Sequence, residues 1–338
     1  MSAVHNIEVT ADEAELRLDR WFKRRYPGLS HGHLSKLLRT GQVRVDGARA
    51  KASLRLVAGN TVRVPPLDMT GDAASKPPVR QVPVASEQEL EAARRWVIHR
   101  DEHILALNKP PGLAVQGGSE VAHHLDALLD GLRFGAPERP RLVHRLDRDT
   151  SGVIVLARSA QAARRLAEAF KRRAPRKVYW ALVAGVPTPL SGKIDAAVGK
   201  RMGRGGEKMT VIGDAEDGQH AVTFYRVLDS AAKRVAWLAL MPRTGRTHQL
   251  RVHCAEVLGT PILGDGKYGG TAAFLPFEGI EKRLHLHARA LELPDLCDAS
   301  GRRTLRLVAE LPPHMAKALK LLGFDAGAAG DPFAALEP

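Results

Sequence analysis

The chain has 338 residues, a length that predicts two domains. Its 51 lysines and arginines outnumber its 37 acids, and the resulting formal net charge of +14 favours a polyanionic partner such as nucleic acid. Its two cysteines, Cys254 and Cys297, are too few for a multi-disulfide framework or a four-cysteine zinc site. Since residues 1–15 hold four acids without the apolar stretch of a signal peptide, and no apolar run approaches the roughly 20 residues of a membrane span, we expect a cytoplasmic protein without a membrane partner.

Residues 16–64 are the most basic part of the chain, with twelve lysines and arginines against two acids. Apolar residues at helical spacing in 16–22 predict one helix, and Ser30 can cap a second. The Asp46-Gly47 pair predicts a hairpin between short strands. Two short helices followed by small strands resemble the S4 RNA-binding domain, although a solvated basic face is the alternative. The candidates for phosphate contact are Arg20, Lys23, Arg24, Lys36, Arg39 and Arg44.

The pattern of the remaining chain predicts a larger domain behind a linker. We place an S4-like domain at 14–75, a proline-rich linker at 76–92, a catalytic domain at 93–325 and a tail at 326–338. Strands with scattered helices predict an α+β fold on a mixed, mostly antiparallel sheet. Strands are predicted at 96–99, 104–108, 153–157, 178–183, 221–228, 235–241 and 305–309; helices are predicted from the Ser159 cap through Arg172 and across 248–258.

Residues 144–152 read His-Arg-Leu-Asp-Arg-Asp-Thr-Ser-Gly and concentrate charge directly before an apolar strand. Burying such charges costs several kcal/mol each unless they are paired. The arginines beside Asp147 favour its ionised form, which suits a nucleophile or a base better than an acid. An aspartic-protease site is not supported, because no second matching acid occurs. A metal site is not supported either, because His144 and Asp147 have no further ligands at sensible spacing.

Two further segments carry candidate functional residues. Residues 242–253 predict a turn that opens a helix, with three arginines and two histidines where a phosphate can bind. Tyr179 lies on a predicted strand, where it either stacks on a base or belongs to the core. The Gly-rich segment 201–219 is longer than a strand connection needs, and is either an RNA-contacting loop or a disordered one.

Together these segments are similar to the RluA family of pseudouridine synthases, and most of all to its S4-containing RluC and RluD type. The similarity spans residues 98–311, and the His-Arg-Leu-Asp run followed by Thr-Ser-Gly is highly specific. The other matching segments are 108–110, 179–183, 244–253, 261–265, 267–269 and 286–288.

The resemblance implies a role for each matching residue. Asp147 is the expected catalytic aspartate, and Tyr179 stacks on the uracil and is proposed to handle the C5 proton. Arg251 is expected to pair with Asp147, while Arg145 enters the RNA stack after the uridine flips out. The further RNA-contacting candidates are Arg148, Arg243, Arg246 and His248.

The implied reaction breaks the N1–C1′ bond of a uridine, turns the uracil and joins C5 to C1′. It needs no cofactor and no metal. Attack of Asp147 at C1′, its addition at C6 and its removal of a sugar proton all stay open. The expected partner is large-subunit ribosomal RNA, free or in a pre-ribosomal particle, and the expected state is a monomer. Alternatives are an S4-type ribosome-assembly factor without turnover, a synthase acting on tRNA and a small-molecule hydrolase.

Overall fold

The computed structural model describes residues 4–67, 85–117, 123–203, 206–213, 218–298, 300 and 302–334. The chain divides into two units, residues 1–81 and 82–338. No helix in these described ranges is long and apolar enough to cross a membrane.

The first unit packs two helices with a four-stranded antiparallel sheet. The helices are α1 (Leu18–Arg25) and α2 (His31–Arg39), and the strands are β1 (His5–Glu8), β2 (Arg44–Val45), β3 (Ala48–Arg49) and β4 (Thr61–Val64), in the order β1-β4-β2-β3. Ser30 caps α2 as predicted, because its hydroxyl accepts the His33 amide at 3.2 Å. The strand β1 was missed, so this unit begins before the predicted boundary at residue 14. Trp21, Phe22 and Val62 lie in its core.

The second unit is built on a ten-stranded sheet. Its strands are β5 (Val97–Arg100), β6 (Ile104–Lys109), β7 (Arg141–Leu142), β8 (Ser151–Ala157), β9 (Arg176–Ala184), β10 (Ser191–Asp195), β13 (Val222–Ala231), β14 (Val235–Pro242), β15 (Leu286–Pro294) and β16 (Thr304–Val308). The backbone order is β10-β13-β14-β9-β15-β8-β6-β5, with β16 on β15 and β7 on β8. Among the strands of the described ranges, only β15 and β8 pair in parallel, so the predicted mixed, mostly antiparallel sheet is confirmed.

The remaining elements lie around this sheet. They are the hairpin β11 (Val198–Gly203) and β12 (Gly206–Val211), and the helices α3 (Glu87–Arg95), α4 (Leu125–Leu128), α5 (Ala160–Lys171), α6 (Gln249–Val252), α7 (Gly266–Gly269) and α8 (Pro313–Leu321). Short 3-10 turns occupy Ala11–Glu13, Leu129–Leu132 and Gly270–Ala273, and a π-helical turn occupies His253–Val257. Ser159 caps α5 as predicted, with its hydroxyl accepting the Ala162 amide at 3.1 Å.

Alternation along β9 and β14 sends side chains to two hydrophobic clusters, one on each face of the sheet. Trp180 and Trp237 join one cluster with α8, and their rings meet edge to face at 4.7 Å. Val183 and Leu240 join the other with Leu250 of α6. The sheet centre is therefore buried on both faces, and it gives a rigid base to the loops at its edge.

Two predicted boundaries need correction. The predicted linker 76–92 extends too far, because α3 begins at Glu87 behind a capping box in which Ser86 and Glu89 bond reciprocally. The predicted tail 326–338 is not a free tail over its described part. Phe333 is buried in the Trp180 cluster, and Arg176 forms a two-pronged ion pair with Asp331 at 2.7 Å.

Three local features of the second unit also bear on the sequence predictions. The described part of the Gly-rich segment 201–219 contributes the C-terminal end of β11 and all of β12, so it is largely an ordered hairpin rather than a disordered loop, and its contact with RNA stays a prediction. The helix predicted across 248–258 is confirmed over 249–257, where α6 continues directly into the π-helical turn. The strands β10 and β15 had not been predicted, although β15 lies between β9 and β8 at the centre of the sheet.

Candidate active site

Residues 144–150 form the loop between β7 and β8, residues 151–152 begin β8, and His144 anchors the loop to that strand. The Val155 amide donates to His144 Nε2 at 2.8 Å, and the imidazole stacks on Phe170 at 4.8 Å between ring centroids. Burial, with help from the charge of Lys177, lowers the pKa of His144 to about 3. A neutral imidazole is thus a structural anchor for the loop that carries Asp147.

Lys109 holds the same loop from its other side. Its fully buried ammonium donates to the carbonyl oxygens of Pro110, Leu113 and Arg148, each at 2.9 Å. Burial lowers the pKa of Lys109 to about 7, against the opposing charges of Asp149 and Asp147. Lys109 lies in the matching segment 108–110, and no role was predicted for it from the sequence. Three converging carbonyls tie the end of β6 to the residue next to Asp147.

A cavity of about 380 Å³ opens above this loop. Asp147 and Tyr179 both line it, Asp147 from the loop and Tyr179 from β9. Burial first, and then the charge of Asp147, raises the pKa of the Tyr179 hydroxyl well above its ordinary range. Tyr179 therefore stays protonated, and presents a ring and a neutral hydroxyl next to a carboxylate. The predicted site residues that the fold brings together here are Arg145, Asp147, Tyr179, Arg246, His248 and Arg251.

Arg251 does not form the predicted ion pair with Asp147. Its Nε and Nη2 donate to the two oxygens of Asp265 at 2.8 and 2.7 Å, and this carboxylate is completely buried. Asp147 acts on Arg251 only through its charge, which favours the protonated guanidinium. Sequence reasoning missed the role of Asp265, although it lies in one of the matching segments. A completely buried acid needs a cation or several hydrogen-bond donors, and this requirement could have indicated that Asp265 pairs with a basic residue.

Asp147 lies beside His248 instead, and His248 Nε2 is 3.9 Å from Asp147 Oδ1. His248 has a left-handed backbone with φ of 54°, and its Nδ1 lies 2.6 Å from the Tyr268 hydroxyl. Burial lowers the pKa of His248 despite the opposing charge of Asp147, so a neutral ring is favoured. This contact between Tyr268, His248 and Asp147 was not predicted.

Buried Gln249 fixes the loop that carries Arg246 and His248. Its side-chain oxygen accepts from the Thr244 hydroxyl at 2.7 Å and from the Arg246 amide at 3.1 Å. Its side-chain nitrogen donates to the Val222 carbonyl at 3.0 Å and to the Thr223 hydroxyl at 2.9 Å. With four bonds made, this amide defines the path of the loop around the cavity.

The other predicted RNA contacts lie outside this cavity. Arg148 is exposed and bonds its neighbour Asp149 at 3.2 Å, and Arg243 lines an adjoining cavity. The six basic residues predicted in the first unit are all exposed. Two of them have local partners, because Arg24 pairs with Asp12 and Arg44 donates to the backbone carbonyls of Gly41 and Gly47. Across the described ranges, no group of three or more metal-ligating side chains occurs.

Comparisons with known proteins agree with this fold and pocket. The family model for RNA pseudouridylate synthase matches residues 103–256. RNA pseudouridine synthase 4, mitochondrial, of Arabidopsis thaliana is 35% identical over 94% of this chain and 81% of its own length. The structure of human RNA Pseudouridylate Synthase Domain Containing 4 is 33% identical, with a TM-score of 0.56 over 70% of this chain and 96% of that chain.

The chain therefore belongs to the pseudouridine synthases, which are RNA uridine isomerases, and within them to the RluA family. Ribosomal large subunit pseudouridine synthase C of Rickettsia typhi is 35% identical over 90% of this chain and 96% of its own length. This similarity along nearly the full chain supports the RluC type.

Proposed function

We propose that this enzyme isomerises specific uridines of large-subunit ribosomal RNA, with Asp147 as the catalytic carboxylate. The observation that carries the proposal is the position of Asp147 in the cavity lined by Tyr179, His248 and Arg251. The RluC-type relatives are named for the large ribosomal subunit, and the net charge of +14 suits a large RNA.

The geometry supports a division of labour. A base inside a stem must flip out to be reached, at a cost of a few kcal/mol. Arg145 is exposed at the cavity, where its planar guanidinium can fill the vacated stack and offset part of that cost. Tyr179 can stack on the flipped uracil. Because the pKa of its hydroxyl is raised, stacking and hydrogen bonding suit Tyr179 better than proton abstraction as a phenolate.

The isomerisation balances without an oxidant, reductant or cofactor. The N1–C1′ bond breaks, the uracil turns while bound, and the C5–C1′ bond forms; C5 loses a proton and N1 gains one. Attack at C1′, addition at C6 and removal of a sugar proton each require a carboxylate beside the junction of base and ribose, where we place Asp147. The departing uracil must stay in the site, and the enclosing cavity walls supply the contacts for that.

The test is to delete the gene, map pseudouridines across ribosomal RNA and tRNA, and complement with variants. Asp147→Asn keeps the shape of the side chain and removes its charge, so we expect it to bind RNA without restoring the lost sites. Asp149→Asn is the matched control, because Asp149 lies in the same loop but does not line the cavity, and it should restore them.

Three results would contradict the proposal in different ways. Restoration by Asp147→Asn would remove Asp147 from the chemistry. Loss of tRNA sites alone would reassign the substrate to tRNA. Loss of no site at all would favour an assembly factor without turnover.

We also propose that the first unit is an S4-type RNA-binding domain. Exposed basic residues on α1 and α2 support it, since Arg20 and Lys23 lie on one helix and Lys36 and Arg39 on the other. Such residues attract phosphates without reading bases, so this unit would add affinity more than sequence preference.

A further inference from the structure

A second cavity, of about 260 Å³, adjoins the catalytic cavity and has a strongly basic lining. Five of its nine lining residues are basic and none is acidic: Lys171, Arg173, Lys177, Arg243 and Arg246. It shares Lys177 and the backbone around Gly245 with the catalytic cavity, so the two cavities have a common wall.

Lys177 is one of the residues that line both cavities. It lies on β9 two residues before Tyr179, and alternation therefore places both side chains on the same face of the sheet. Burial, followed by the charges of Arg173 and Arg243, lowers the pKa of Lys177. These three cations repel one another, and an anion bound between them would be attracted to all three.

We propose that this second cavity binds a backbone phosphate of the RNA adjacent to the target uridine, with Lys177, Arg173 and Arg243 as its ligands. The inference rests on the proposed RNA substrate. Arginine forks match phosphate oxygens bidentately and lysine adds a compact charge, so this lining suits a phosphate better than a base. The shared wall puts that phosphate next to the nucleotide whose base enters the catalytic cavity.

Salt dependence of binding tests the phosphate site. The probe is in-vitro-transcribed bacterial large-subunit ribosomal RNA, titrated against the full chain at several salt concentrations. Lys177→Met and Arg243→Gln should each weaken binding and reduce the slope of log K against log salt by about 0.7 to 0.9. Lys177→Arg keeps the charge and should retain the slope. Lys317→Gln on α8 is the control, because Lys317 is exposed outside both cavities.

The result that overturns the phosphate site is a slope for Lys177→Met and Arg243→Gln equal to that of Lys317→Gln. Circular dichroism checks that Lys177→Met and Arg243→Gln are folded, so that an unchanged slope counts against the phosphate site. The proposed isomerisation fails separately, if the wild type forms no pseudouridine in that RNA, whatever the slopes are.

A separate chain of contacts joins Tyr268, His248 and Asp147. The Tyr268 hydroxyl lies 2.6 Å from His248 Nδ1, and His248 Nε2 faces the Asp147 carboxylate. Because a proton on Nε2 points to that carboxylate, Nδ1 is the nitrogen left to accept the Tyr268 hydrogen. Burial raises the pKa of Tyr268 to about 12, so its hydroxyl remains a donor at neutral pH.

We infer that His248 is a positioning residue for Asp147, and that Tyr268 sets its tautomer. With Nδ1 accepting from Tyr268, the ring proton lies on Nε2, which faces Asp147 Oδ1 at 3.9 Å. A small approach on RNA binding makes this a direct hydrogen bond to the carboxylate. The hairpin, whose Lys208 lies over the Tyr268 ring at 5.0 Å, is then part of the support of the active site.

Tautomer-sensitive nitrogen NMR and single-turnover kinetics test this role together. In the wild type, the His248 signal, assigned by its loss in His248→Gln, should show the Nε2-protonated tautomer. Tyr268→Phe should give a mixed tautomer and slow the single-turnover rate on the order of tenfold at unchanged RNA affinity, as for loss of one bond in a buried network. Tyr225→Phe is the control, because that buried residue does not line the catalytic cavity and its hydroxyl donates to the Pro189 carbonyl.

A wild-type signal from the Nδ1-protonated tautomer would overturn the inference, and so would a Tyr268→Phe rate equal to that of Tyr225→Phe. His248→Gln keeps a neutral N–H donor, and we expect it to retain more activity than His248→Ala. The NMR result does not depend on turnover, so it stands apart from the proposed role of Asp147.

Discussion

Asp265 supports the active site through a completely buried ion pair with Arg251. Its Oδ1 also accepts the Tyr268 amide at 3.2 Å, so the same carboxylate caps α7. Arg251 lies over the Tyr268 ring at 5.0 Å. Asp265 therefore fixes two of the residues around Asp147 without lining the cavity itself.

Removing the charge of Asp265 should destabilise the protein strongly. Asp265→Asn leaves the buried Arg251 guanidinium without its counter-ion, and breaking a buried pair in this way costs about 3 to 5 kcal/mol. Urea unfolding measures the loss. Asp130→Asn is the control, because Asp130 pairs with Arg133 at the surface and should change stability by less than about 1 kcal/mol. Equal stability of the two variants would contradict the structural role of Asp265.

Gly152, which ends the 144–152 run, is a second residue on which the site depends. Its φ is +109°, and an added Cβ would lie 2.2 Å from the Ala288 carbonyl oxygen on the paired strand β15. We expect Gly152→Ala to lose more than about 4 kcal/mol, or to fail to fold, because backbone conformation and backbone contact both oppose the side chain.

The matched control for this glycine is Gly112→Ala. Gly112 also has a positive φ, +88°, but an added Cβ there meets nothing within 4 Å. Only the conformational cost remains, about 1 to 2 kcal/mol. Thermal unfolding by circular dichroism compares the two variants, and equal losses would show that the contact with Ala288 is unimportant.

At the scale of elements, the first unit depends on one nearly buried acid. Glu13 accepts from Arg25 at 2.7 and 2.9 Å and from the Trp21 indole at 2.9 Å. The Arg25 bond is the largest cause that lowers the pKa of Glu13 to about 2, with Trp21 adding to it against desolvation. One carboxylate thereby joins the turn at Ala11–Glu13 to α1.

The stability of this unit should fall in acid. The folded pKa of Glu13, about 2, lies below its ordinary value of 4.5, so the stabilisation by this carboxylate is complete above pH 4.5 and is lost as pH falls towards 2. We expect it to be about 1 to 2 kcal/mol, since Arg25 is partly exposed. Hydrogen exchange of residues 4–67, corrected for intrinsic rates, measures it. Glu13→Gln should abolish that part of the pH dependence, while the exposed Glu8→Gln should leave it unchanged.

Elements with a strong local signal could be predicted from sequence. Ser30 and Ser159 cap helices where their side chains and the following apolar spacing indicated, and the apolar strand β8 follows its charged loop. In contrast, β10 has one buried residue, Ile194, and β15 contains His287, Arg289 and Glu292. Such strands are specified by their neighbours in the sheet, which local propensity does not contain.

The site likewise contains residues that could be predicted from sequence and contacts that could not. Asp147 and Tyr179 were found because their motifs resemble a family, and the fold then brings them to one cavity. The partner of Arg251 was wrongly predicted, because the sequence offers both Asp147 and Asp265 as acids and only packing chooses between them. His248 was assigned to RNA, and its link to Tyr268 depends on a left-handed backbone that sequence does not reveal.

At the scale of the whole molecule, both units carry positive charge, but the proposed chemistry belongs to one of them. Residues 1–81 have a formal net charge of +6 and residues 82–338 one of +8, and the cavity with Asp147 belongs to the second unit. An RNA-binding unit that contributes only phosphate contacts should raise affinity without altering the bond-breaking step.

A first unit that takes no part in the chemistry predicts that neutralising α2 weakens binding but not catalysis. The full-length double variant Lys36→Gln/Arg39→Gln removes two exposed charges from one helix. We expect the salt slope for large-subunit ribosomal RNA to fall by about 1.4 to 1.8 while the single-turnover rate at saturating enzyme stays within twofold. Lys317→Gln/Lys320→Gln removes the same charge from exposed positions of α8 and should leave both quantities unchanged. A slower saturated rate in the α2 variant would mean that the first unit helps to place the uridine, and equal slopes in the two variants would remove α2 from the RNA interface.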